Sequence, residues 1–140
     1  MPSKSVRVYD LTTQNHPHLL MYAPGGVFTQ LTTSWQVVLE NDLSSGIVVV
    51  PPNGIVVCNN TNADRWFSLA VLDNNDVLAT DSAGKRLYYE TPLELADAPG
   101  DKGETYEVPT LFHLNPGERI VMQASANSAV NVLVNYLQQQ

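Results

Sequence analysis

The sequence is short of charge, short of cysteine and free of long apolar runs, and each shortage removes a class of protein. Only 15% of its 140 residues are charged, against about 25% in ordinary soluble domains, so much of the surface has to be neutral and polar. Lys and Arg number 7 against 14 Asp and Glu, for a net charge of −7. Phosphate binding rests on Lys and Arg, so no nucleic-acid partner is expected. The single cysteine, Cys58, leaves no internal disulfide framework. It ends the apolar run Ile55-Val56-Val57-Cys58 with no Lys or Arg beside it, and reads as a small buried hydrophobe rather than a reactive thiol. No apolar window is long enough for a membrane helix, and no membrane partner is expected. Met1-Pro2-Ser3-Lys4-Ser5 lacks the apolar stretch of a signal peptide, so synthesis in the cytoplasm is the expectation. A nucleophile elbow, a phosphate loop and a dinucleotide fingerprint are all missing. Three His and one Cys leave few parts for a catalytic triad, so the expectation is no enzyme.

What is present is apolar and β-like. Hydrophobic residues make up 44% of the chain, which excludes wholesale disorder and suits one domain with a real core. Short β-branched and aromatic runs are broken by Gly, Pro, Asn and Asp, the pattern of an all-β sandwich or barrel. Candidate strands are Val6–Tyr9, Val27–Leu31, Trp35–Leu39, Gly46–Val50, Gly54–Cys58, Trp66–Leu72, Val77–Thr80, Arg86–Glu90, Thr110–Leu114, Arg119–Ala124 and Val130–Leu137. In the last of these, alternation points Val130, Val132, Val134 and Tyr136 one way and Asn131, Leu133, Asn135 and Leu137 the other. Pro51-Pro52-Asn53-Gly54 predicts a reversal between two Val/Ile strands. Asn115-Pro116-Gly117-Glu118 predicts the same before Arg119, and Asp73-Asn74-Asn75-Asp76 a hairpin.

Two stretches resist this pattern. Residues 1–26 contain Pro2, Pro17, Pro24 and Gly25-Gly26 with scattered apolar side chains. They read as an extended amino-terminal arm that orders by lying on something, ahead of a sandwich domain over residues 27–140. Residues 91–109 carry Glu94, Asp97, Asp101, Glu104 and Glu107 against Lys102. They read as a long acidic loop.

Small constellations have ordinary explanations. His16 and His18 would face the same side of an extended chain, yet a closed metal site needs more ligands and His113 is distant. No metal and no cofactor is expected. Asp73-Asn74-Asn75-Asp76 lacks the glycine and terminal Glu of a calcium loop. Trp35, Trp66, Tyr88 and Tyr89 could serve a sugar platform. Tandem tyrosines in a strand face opposite ways, however, and Trp66 heads an apolar run that suits core or interface.

One resemblance organises these features. Ile55-Val56-Val57-Cys58-Asn59-Asn60-Thr61 precedes the apolar run Trp66–Leu72. Leu114-Asn115-Pro116-Gly117-Glu118-Arg119-Ile120-Val121, Gln123-Ala124-Ser125 and Ala129–Leu137 follow in that order. This arrangement resembles small β-sandwich virion structural proteins of tailed bacteriophages. The resemblance implies a jelly-roll-like antiparallel β-sandwich with an extended amino-terminal arm, located in the virion. It implies a capsid decoration (cement) protein that binds the major capsid protein or other virion proteins and itself forms a homotrimer. Val6, Val8, Tyr9, Leu19, Leu20, Met21 and Tyr22 of the arm are then the expected partner-binding residues. The alternatives are a tail, neck or baseplate component of the same fold, a carbohydrate-binding module, and an enzyme subunit, the last opposed by the missing motifs.

Overall fold

A computed structural model describes residues 22–73, 86–94 and 103–139, with backbone alone at Arg86 and Leu87. Its described elements are all strands: β1 (Tyr22–Gln30), β2 (Gln36–Glu40), β3 (Val48–Val50), β4 (Ile55–Asn59), β5 (Arg65–Leu72), β6 (Arg86–Leu93), β7 (Thr105–Val108), β8 (Phe112–Leu114), β9 (Arg119–Ala124) and β10 (Val130–Gln139). They form two antiparallel sheets packed as a sandwich. The candidate strands Val6–Tyr9 and Val77–Thr80 lie outside the described residues.

The first sheet is built on β10. One side of β10 pairs with β1 along its whole length, from Tyr22 opposite Gln139 to Gln30 opposite Asn131. The other side pairs with β4 over Val130–Val134 and with β3 at Leu137 and Gln138. Strand β8 pairs with β3, and β7 pairs with β4. The second sheet has the order β2-β9-β5-β6.

Pro51-Pro52-Asn53-Gly54 does not reverse the chain between two paired strands, as the sequence suggests. A turn does form: the Gly54 N–H donates to the Pro51 carbonyl at 2.9 Å, and Asn53 has φ of 64°. Yet β3 and β4 both lie antiparallel to the same side of β10. They are successive parts of one row, and the four residues form a bulge within it. The reason is Pro52. Its ring holds φ negative at the first central position, which forbids the primed turns that close two-residue hairpins and leaves a type II geometry. Strands β7 and β8 are likewise two parts of one row, and the Asn53 N–H donates to the Val108 carbonyl at 2.8 Å across the two interruptions. Gly54 is required here, since an added Cβ would come within 2.8–2.9 Å of the Pro51 and Asn135 carbonyl oxygens.

The core lies between the sheets. Val130, Val132 and Val134 are fully buried in it and Tyr136 packs against it, as alternation predicts. Phe67, Leu69, Ile120 and Met122 face them from the second sheet. Phe67, Tyr88 and Tyr106 cluster with ring centroids 5.5–6.1 Å apart. A smaller cluster of Ala70, Leu72 and Val121, with Trp35 packed against it, occupies the opposite face of the second sheet.

Two expected boundaries differ. Strand β1 starts at Tyr22, inside the stretch read as an arm, and its Pro24-Gly25-Gly26 is regular strand. An edge strand tolerates proline where the absent N–H would point away from the sheet. The acidic stretch 91–109 is also not one loop: β6 runs to Leu93, and Thr105–Val108 form β7. In β7, Tyr106 and Val108 turn inward while Glu107 faces out. Glu107 therefore marks the solvent side of a strand rather than the absence of one; Asp97 and Asp101 lie outside the described residues.

Candidate interaction surface

Register places an unusual set of side chains on the outer face of the first sheet. Directly opposed residues in an antiparallel pair share a face. Phe28, Leu133, Val56 and Glu107 thus stand in one row across four strands. Pro24, Leu137, Val49 and His113 stand in a second. Gln30, Asn131, Cys58 and Thr105 form a third. Tyr22 lies opposite Gln139 at one end. Phe28 is 66% exposed, Leu133 40%, Tyr22 39% and Leu137 38%.

Among the described residues, Glu107 and His113 are the acidic and basic strand residues in these rows, and both stand on the β7–β8 row, farthest from β1. On a chain of net charge −7, this is a neutral, apolar and hydrogen-bonding face. Exposed apolar patches of this kind mark interaction sites.

Cys58 belongs to this face rather than to the core. Val57 points inward and is fully buried, while Cys58 is half-buried with its thiol 3.7 Å from the Asn59 carbonyl. The expected buried hydrophobe fails because an unbroken apolar run hides which alternate residues face in. Beside it, the Asn131 Oδ1 atom is buried without a hydrogen-bond partner.

Of the expected partner-binding residues, Tyr22 alone is described, exposed at the start of β1. Val6, Val8, Tyr9, Leu19, Leu20 and Met21 lie outside the described residues, as do His16 and His18. The aromatic candidates for a sugar platform are dispersed. Tyr88 belongs to the core aromatic cluster and its hydroxyl is 2.7 Å from the Thr110 hydroxyl. Trp35 packs on the second sheet, and Tyr89 is exposed. Among the described residues, no three His, Cys, Asp or Glu side chains are grouped to hold a metal ion.

The residues that carry the phage resemblance are joints of the sandwich. Asn59 is fully buried. Its Nδ2 donates to the carbonyls of Ala63 (2.8 Å), Leu93 (3.2 Å) and Glu94 (3.1 Å), while its Oδ1 accepts from the Thr61 N–H and hydroxyl. Asn115-Pro116-Gly117-Glu118 closes with the Glu118 N–H on the Asn115 carbonyl at 2.9 Å and carries the chain from one sheet to the other. The Ser125 hydroxyl accepts from the Trp66 N–H at 3.0 Å. A second buried asparagine, Asn41, binds the Gly46 and Leu114 carbonyls in the same manner. Asn41 was invisible as a joint in the sequence, because Leu114 lies far along the chain. No protein-family model matches the chain, and no curated protein matches it in sequence.

Proposed function

We propose that this chain is a structural subunit of a tailed-bacteriophage virion, acting as a capsid decoration protein that binds the major capsid lattice. The observation that carries the reading is the uncharged apolar face around Phe28, Leu133 and Leu137 on an otherwise acidic chain. A subunit that lives in an assembly buries such a face against neighbours, and permanent interfaces are more apolar than ordinary surface.

The pairing pattern supports the finer fold assignment, a jelly roll. With β3–β4 and β7–β8 each counted as one row, the first row pairs with the last, and the second with the last but one. The third pairs with the sixth and the fourth with the fifth. That nesting is what a long hairpin rolled up would give, as in the jelly rolls used by viral capsid domains among others. The fold alone does not assign the function; the exposed face is what ties it to assembly.

In this reading the segment 1–21, with Val6, Val8, Tyr9, Leu19, Leu20 and Met21, helps to anchor the subunit, and three copies close around a symmetry axis. Many modest contacts repeated by symmetry then reinforce the shell through avidity. The test is cosedimentation of the purified chain with phage heads stripped of decoration. Saturable binding with a fixed ratio to the major capsid protein supports the reading. Binding to isolated tails but not to heads moves the protein to the tail, and binding to neither overturns the proposal.

A further inference from the structure

We infer that the outer face of the first sheet, centred on Phe28 and Leu133, is where copies of this chain meet each other. The inference goes beyond the virion reading, since it would hold for a head, tail or unrelated protein alike.

Charge selects the occupant. Two copies of a chain at −7 repel where their acids approach, so a face whose central strands carry no acid suits a meeting of copies. On this face the rows of β1, β10 and β3–β4 present Pro24, Phe28, Gln30, Asn131, Leu133, Leu137, Val49 and Val56 and no charged residue. A basic partner would place no such demand on the surface, and would gain from acids here.

Geometry favours stacking of faces over joining of edges. The Leu31 N–H donates to Val130 of β10 at 2.8 Å. By alternation, the odd-numbered residues of β1 bond to β10, and the even-numbered ones turn their backbone to the side on which, among the described residues, β1 has no partner strand. Pro24 is one of these and has no N–H to offer, so the edge is blunted against strand addition. The face is large enough. With the β7–β8 row included, which carries Glu107 and His113 at the margin, four strand rows at about 4.8 Å spacing, along some nine residues at about 3.3 Å, give roughly 570 Å² per copy. Two copies then bury about 1,100–1,200 Å² together, which reaches the lower bound for a specific interface.

The test is analytical ultracentrifugation of the full chain over a dilution series, for the wild type and for Phe28→Glu/Leu133→Glu. The expected result is a wild type with a mass of two copies that dissociates on dilution. The charged pair should weaken association at least about a hundredfold, because it puts unpaired like charges at the centre of the contact. Circular dichroism should show both proteins equally folded. Val37→Glu, on the second sheet, should associate as the wild type does. If the charged pair does not fold, Phe28→Thr/Leu133→Thr puts strand-favouring β-branched residues at both sites and removes the apolar contact. A wild type that stays monomeric up to about 1 mM, the weak end of specific association, overturns the inference. So does association that survives the substitutions. A monomer that still binds phage heads overturns this inference and leaves the proposed function standing; an oligomer that binds no particle does the reverse.

Discussion

The ring of Tyr136 lies over Gly25, its directly opposed partner across the β1–β10 ladder. A Cβ built on Gly25 would run into Cζ, Oη and Cε2 of that ring. The bare backbone of one edge strand is therefore the floor on which a half-buried aromatic side chain rests. Gly26, one residue on, has only ordinary contacts at 3.6 and 3.7 Å. Gly25→Ala should therefore destabilise the fold by about 1–3 kcal/mol, the range for overpacking, and Gly26→Ala by less. Combining Gly25→Ala with Tyr136→Val should recover part of the loss, because the two positions are in contact and will not add. Urea denaturation of these three variants and of Tyr136→Val alone checks this; equal costs at Gly25 and Gly26 would refute the relationship.

Asn59 ties three segments together through one amide. Asn59→Leu leaves the carbonyls of Ala63, Leu93 and Glu94 without this donor, at a cost of roughly 2–4 kcal/mol. Asn59→Asp is the more discriminating change. It puts a carboxyl in a fully buried site facing three carbonyl oxygens. Burial and those oxygens disfavour the anion, so the folded-state pKa is raised above the unfolded value. A raised carboxyl pKa makes the variant most stable below the unfolded value, about pH 4, and weaker as pH rises through the folded value. The deficit in Tm of Asn59→Asp relative to wild type should widen from acid to neutral pH. A deficit independent of pH would mean that the site is wet.

Asn53 supplies the left-handed position in the bulge that divides β3 from β4, with φ of 64°. Only glycine and asparagine adopt this conformation readily. Asn53→Val should cost about 1–2 kcal/mol, and Asn53→Gly should be close to neutral. Differential scanning calorimetry ranks them. A valine variant as stable as the glycine variant would show that the turn rearranges freely.

These sites also show what the sequence made legible. Val130–Leu137 and Arg119–Ala124 could be read because alternation or bounded length identifies a strand without knowledge of its neighbours. Strand β7 could not, since the acids around Thr105–Val108 resemble a loop until Tyr106 is seen against Phe67. Pro24-Gly25-Gly26 resembled a break for the same reason: its tolerance depends on being an edge and on Tyr136 across the ladder. The candidate surface was hidden at one specific point. Phe28 sits between Val27 and Thr29, and nothing local decides that Val27 faces the core while Phe28 faces out. Register with β10 decides it, and that partner lies about a hundred residues away.

Cys58 offers a chemical readout of that register. Its side chain shares the outer face with Asn131 and Thr105, while its neighbour Val57 is fully buried. A thiol in the core would be alkylated only when the whole domain opens, at a rate set by global stability. A thiol on the outer face needs no global opening. Native-state labelling with a small maleimide, at a dilution where copies are dissociated, should therefore run much faster than global unfolding permits, and should barely change in mild urea. A one-residue slip of β4 against β10 would turn Cys58 inward and make labelling track unfolding. Labelling rates that rise in step with the unfolded fraction would thus overturn the register of the central strands, and with it the face on which Phe28, Leu133 and Val56 are aligned.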